Sequence, residues 1–138
     1  MSRSIVTVLL FFSIATVSAQ KQGPPDLKRS LDAGKVVYMQ RCLTCHQKDG
    51  GGVPHLNAPL DGATAVVAAD KAKLIRIVLK GMVDRVEIDG EYYNNNMPPH
   101  SDLKDQQIAD VLTFIRSNWT NKASAVSAAE VKAVRAKK

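Results

Sequence analysis

The chain has 138 residues and a formal charge of +6, enough for one modest domain and too little for two. Located along the chain, the charge excludes a nucleic-acid binder. Residues 120–138 hold a surplus of +4 and Arg3 adds +1, while residues 20–119 carry thirteen basic against twelve acidic side chains, with no basic face interleaved with stacking aromatics.

Residues 1–19 read as a cleaved secretion signal: Arg3 gives a positive start, Ile5 to Ala15 form a short apolar run, and Val17-Ser18-Ala19 is a small-residue cleavage site. The run is interrupted by Ser13 and Thr16 and falls short of the roughly 20 apolar residues a membrane span needs. No later run is long enough, so no integral membrane segment is expected after cleavage. The mature chain retains Tyr38, Tyr92, Tyr93, Phe114 and Trp119 as its aromatics, a thin supply for a core unless a large flat group fills it.

Residues 20–30, with Pro24-Pro25, read as an extended arm. Ser30 is the expected N-cap of a helix running to about Arg41, with Gly34, Val37 and Tyr38 on one face and Gly34 permitting a close backbone crossing. Gly50-Gly51-Gly52, Pro54, Pro59 and Asp61-Gly62 predict an irregular loop. Asp70 can cap a second helix with Leu74, Ile77 and Val78 on one face and Gly81 as its C-cap. Val86 to Tyr93 reads as a hairpin turning at Asp89-Gly90. The clearest helix spans about Asp105 to Asn118, with Ile108, Val111, Leu112 and Ile115 in phase and Lys104 as a poor N-cap. Ser127 to Glu130 forms a capping box that opens a last helix through Val131 and Val134. The basic tail, residues 120–138, is expected to be a solvated surface or a docking patch.

Cys42-Leu43-Thr44-Cys45-His46 carries the chemistry. Two thiols three positions apart at a helix end lie on one side of a turn, where both can form thioethers to one porphyrin. The next residue, His46, points its imidazole at the iron, and its other N–H needs a backbone acceptor to orient the ring, for which the loop around Pro54 is the natural place. The same residues admit two other readings. A disulfide between Cys42 and Cys45 would be of the strained, catalytic kind that sits in βαβ folds, and no such pattern exists here. A zinc site using Cys42, Cys45, His46 and either His55 or His100 matches no usual ligand spacing.

An electron carrier keeps both axial positions of its iron filled. Met97 is the distal candidate: it lies in a loop, stiffened by Pro98 and Pro99, and a neutral, soft thioether favours ferrous iron. Met39 and Met82, inside helix or cap patterns, read as core residues. His55 and His100 compete as ligands, His100 only three residues beyond Met97.

These residues, in this order from about Leu31 to Trp119, resemble a class I c-type cytochrome. The resemblance implies an all-α fold, with helices and loops wrapped around one covalently attached haem c, a small hairpin and an extra C-terminal helix. It implies that Gly34 and Tyr38 pack against the C-terminal helix near Phe114, that the Pro54 carbonyl receives the His46 N–H, and that Tyr92 to Asn96 line the haem edge. The iron ligands would be His46 and Met97. More narrowly, Val86 to Tyr93, Met97-Pro98 and Ile108 to Trp119 are similar to the small cytochromes or cytochrome domains that accompany bacterial quinoprotein dehydrogenases, although Lys104 stands where those carry Ser or Thr.

The function this implies is one-electron transfer in the periplasm or outside the cell, with no catalytic residue of the protein's own. The partners would be redox proteins: a quinoprotein-type dehydrogenase as donor, and another cytochrome or a terminal oxidase as acceptor. The rival is a haem enzyme of peroxidase type or a gas sensor, either of which needs an open distal iron site.

Overall fold

The computed structural model describes residues 27–137, so the expected signal, residues 20–26 of the expected arm, and Lys138 lie outside the described residues. Among the described residues, six helices and one hairpin follow in order: α1 (Leu27–Arg41), α2 (Leu43–His46), α3 (Thr64–Val67), α4 (Ala72–Lys80), β1 (Val86–Ile88), β2 (Glu91–Tyr93), α5 (Asp105–Ser117) and α6 (Ala128–Arg135). The expected all-α class with a small hairpin is what forms.

Helix α1 begins at Leu27, three residues before the expected cap, which corrects the arm reading for residues 27–30. Lys28 pairs with Asp32 one turn on at 2.8 Å. Ser30 is not a cap: its buried hydroxyl donates to Asp110 Oδ1 of α5 at 2.6 Å. The two helices cross at Gly34, where a Cβ would stand 2.1 Å from the Asp110 carbonyl and 2.8 Å from Phe114 Cβ, so only glycine permits this approach. Tyr38 follows one turn later with its ring 5.5 Å from those of both Phe114 and Trp119. That places Gly34 and Tyr38 against α5 near Phe114, as the resemblance implied.

Ile108, Val111, Leu112 and Ile115 are the buried stripe of α5. Lys104 provides no side-chain cap; its N–H instead donates to Gln107 Oε1 at 3.0 Å, half of a capping box. The N-cap of α4 is Lys71, without a side-chain bond, and not Asp70 as expected; Asp70, one residue earlier, takes the Ala72 N–H on its Oδ1 at 2.9 Å and closes a turn ahead of the helix. The hairpin pairs Val86 with Tyr93, Glu87 with Tyr92 and Ile88 with Glu91, and both residues of its Asp89-Gly90 turn have positive φ, the geometry that matches strand twist.

The C-terminal segment is part of the body. Ser127 and Glu130 make the expected capping box, while Val126, Val131 and Val134 are buried in the same core as Ile108 and Leu112. Arg135 donates to Asp105 Oδ1 and to the carbonyls of Ser101 and Leu103, so it clamps α6 to the start of α5 and is not a free surface charge. Lys71, just before α4, holds α6 in turn through Glu130 Oε1 and the Ala125 carbonyl. Arg116, 1% exposed, reaches the carbonyls of Val66, Ala68 and Ser124 and ties α3 and the chain before α6 to α5. Among the described residues no helix is long and apolar enough to cross a membrane.

Candidate haem site

Beside this core the chain leaves a largely apolar cleft that opens to solvent. Cys42, Cys45, His46 and Met97 all line it. Helix α1 continues through the motif: the Cys42 N–H donates to the Tyr38 carbonyl and the His46 N–H to the Cys42 carbonyl, each at 2.9 Å. The two cysteines are free and half-buried. Burial, and secondly the neighbouring Cys45, push the Cys42 thiol up to about 11. Among the described residues no three His, Cys, Asp or Glu side chains are grouped to hold a metal ion, which leaves the zinc reading without a geometry.

His46 is oriented by the Ala58 carbonyl, which stands 2.8 Å from its Nδ1. A carbonyl only accepts, so Nδ1 carries the proton and Nε2 keeps its lone pair. No hydrogen bond engages Nε2, yet no buried side-chain nitrogen or oxygen among the described residues lacks a partner; Nε2 therefore opens on the cleft. Burial holds the imidazole below its ordinary pKa, against the pull of the Ala58 bond, which keeps it neutral and ready to ligate.

The acceptor is thus Ala58 and not Pro54, and Pro54 does not line the cleft. The reason is the small two-way bridge between Val53 and Asn57, 2.9 Å in each direction. It folds Pro54 to Leu56 into a turn and delivers the next carbonyl to the ring. Tyr92 is corrected in the same way. Alternate strand residues face opposite sides, so Val86, Ile88 and Tyr93 face the cleft, while Tyr92 is 44% exposed under the Arg85 guanidinium, 4.0 Å from its ring centroid.

Met97 is held by an isolated antiparallel bridge to Met82, with hydrogen bonds of 2.8 and 2.9 Å. Met82 also lines the cleft and so is not a core residue; Met39 is 49% exposed on α1 and is not one either. The cleft takes its apolar walls from Val66, Leu74, Ile77 and the hairpin. Its two loops are joined by the Asn95 N–H to the Leu56 carbonyl and by Asn95 Nδ2 to Asn57 Oδ1. His100 is buried and lines the cleft, so of the two competing histidines it alone stays near the site. His55 points outward, with its Nδ1 3.7 Å from Glu91.

An apolar slot with two thiols at one edge, a neutral imidazole at the end of α2 and a thioether on a loop is a donor set that fits a covalently attached haem. The chain belongs to the cytochrome c family, whose model matches residues 31–119. Among curated proteins, a cytochrome c-552 of Thermus thermophilus is 32% identical over 146 residues, covering 100% of this chain and 89% of the relative. The cytochrome c subunit of the quinone alcohol dehydrogenase of Komagataeibacter europaeus is 37% identical over 107 residues, 74% of this chain and 22% of that subunit. The gluconate 2-dehydrogenase cytochrome c subunit of Pantoea cypripedii is 38% identical over 108 residues, 74% of this chain and 24% of that one. The protein is accordingly a haem c electron carrier and not a catalytic enzyme; its haem supplies the redox chemistry, and the polypeptide supplies attachment, burial and ligands.

Nothing in the five-residue motif pointed to Ala58 or Met82. The pairing of Val53 with Asn57, and of Met82 with Met97, is made by backbone groups that every residue carries. The inward side of Tyr93 was available from hairpin parity once Val86 and Ile88 were taken as the apolar face.

Proposed function

We propose that Cys42 and Cys45 bind one haem through thioethers, that His46 Nε2 and the Met97 sulfur are its two axial ligands, and that the protein carries single electrons between redox proteins of the periplasm. The observation that carries this reading is the His46 Nδ1–Ala58 bond, which leaves Nε2 open on an apolar cleft shared with both cysteines and Met97. The apolar run before Ala19 supports export. The dehydrogenase subunits among its relatives support a quinoprotein-type dehydrogenase as electron donor, with another cytochrome or a terminal oxidase as acceptor.

The test is the distal ligand, because an iron with both positions filled transfers electrons and one with an open position can react. With Met97 bound, the oxidised protein shows the weak far-red charge-transfer band of a sulfur–iron bond. Met97→Ala should abolish the band, lower the potential and let the reduced protein take up carbon monoxide quickly. An unchanged spectrum in Met97→Ala, with loss of the native spectrum in His100→Ala, would assign the site to His100 and refute the Met97 reading.

A further inference from the structure

Helix α4 ends at Gly81, whose φ of +71° is a left-handed value and whose N–H closes the last turn on the Ile77 carbonyl at 2.8 Å. The chain then pairs at once with the Met97 segment. Met82 and Met97 exchange both backbone hydrogen bonds, at 2.9 and 2.8 Å, and the His100 N–H donates to the Val78 carbonyl of α4 at 2.9 Å. Three backbone bonds thus hang residues 97–100 on the end of the helix whose Leu74 and Ile77 wall the cleft.

The space at Gly81 is what lets them lie there. A Cβ on this residue would stand 2.4 Å from the Met97 carbonyl oxygen, 2.8 Å from the Pro99 nitrogen and 3.0 Å from the Pro98 carbonyl carbon. All three are backbone atoms, so no flexible side-chain tip can give way. The proline rings of Pro98 and Pro99 also fix φ, so a push on this segment is passed on to Met97 and not absorbed behind it.

We propose that Gly81 is a positioning residue for the Met97 thioether: with the Met82–Met97 backbone pair it forms a latch that sets where the sulfur sits. The proposal rests on the reading of Met97 as the distal ligand. A side chain at position 81 pushes the Met97 carbonyl outward, opens the bridge to Met82 and draws the sulfur from the iron while the attached haem stays in place.

The experiment compares three alanine variants of the haem-loaded protein. Gly81→Ala combines left-handed strain with a collision at the latch. Gly62→Ala has a similar positive φ, +69°, with nothing nearer than Thr120 Oγ1 at 3.9 Å, and Gly34→Ala has a collision at the α1–α5 crossing instead. Each is measured for the far-red band of the oxidised form, for binding of added imidazole, and for melting temperature.

Gly81→Ala should lose most of the band and bind imidazole at least about tenfold more tightly, the factor set by about 1.4 kcal/mol of lost ligand bonding. The other two should melt earlier with the band and imidazole affinity of the wild type. A Gly81→Ala protein with a native band and native imidazole affinity overturns the proposal, as does equal loss of the band in Gly34→Ala. A wild-type protein without the band would instead overturn the Met97 reading and the latch with it.

Hydrogen exchange on the wild type keeps the test independent of whether Gly81→Ala folds. Saturating imidazole should expose the Met82 and Met97 amides while those of α5 stay protected. Unchanged protection of both amides would contradict the latch.

Discussion

Replacing Val131 by alanine asks whether α6 is part of the domain, although the family match ends at residue 119. Val131 is 0% exposed, so the change removes two buried methyl groups at about 0.8 kcal/mol each. The hole they leave lies among Val126, Val134 and the apolar face of α5, and its cavity term raises the cost to roughly 2–3 kcal/mol. For a domain of this size about 1 kcal/mol corresponds to roughly 4 °C, so thermal unfolding of the haem-loaded protein, followed by far-UV circular dichroism, should shift down by about 8–12 °C. Lys132→Ala, at the exposed neighbouring position, should stay within about 0.5 kcal/mol of the wild type. If the two variants melt together, α6 is a solvated appendage and the account of the C-terminal segment is wrong.

Tyr93→Ala should shift the haem absorbance and the potential, whereas Tyr92→Ala should leave both unchanged, because only Tyr93 lines the cleft; a larger effect from Tyr92, read by spectroelectrochemistry, would reverse the hairpin assignment. Glu130 is opposed by burial, but hydrogen bonds from Lys71 and Ser127 hold its carboxyl below the ordinary range. A depressed folded-state pKa means the unfolded chain binds more protons, so this stability is present above the ordinary value of 4.5 and is lost as the pH falls through the lower folded value. Denaturant midpoints measured down through that range should decline more steeply in the wild type than in Glu130→Gln, and parallel declines would refute the linkage.

Much of the fold was legible because it depends on periodicity and on residues with one strong local preference. The in-phase apolar residues of α5, the Asp89-Gly90 turn and the Ser127–Glu130 box all appear where their side chains predict them. Ser30 misled because a serine near a helix start can serve either its own helix or a neighbour, and here Asp110, eighty residues away, takes its hydroxyl. The capacity of the tail to pack was visible in Val131 and Val134. That it does pack depends on Arg135 and Lys71, whose charges carry no local sign of being engaged.

At the site, the motif and the Met97-Pro98 loop were legible as side-chain chemistry, and they do converge on one cleft. Pro54 and Tyr92 were each displaced by a nearby residue, for different reasons. The Val53–Asn57 bridge moves the acceptor on to Ala58, and strand parity turns Tyr93 inward. The first depends on a register that a loop rich in glycine and proline does not announce, whereas the second was readable from the alternation of the hairpin.

Covalent attachment of a single haem at Cys42 and Cys45 is tested most directly by acid–organic extraction of the purified protein followed by intact-mass and peptide analysis. The haem should stay with the chain, one per molecule, on the peptide containing both cysteines. Release of free haem into the organic phase, or a purified chain without iron, would contradict covalent attachment.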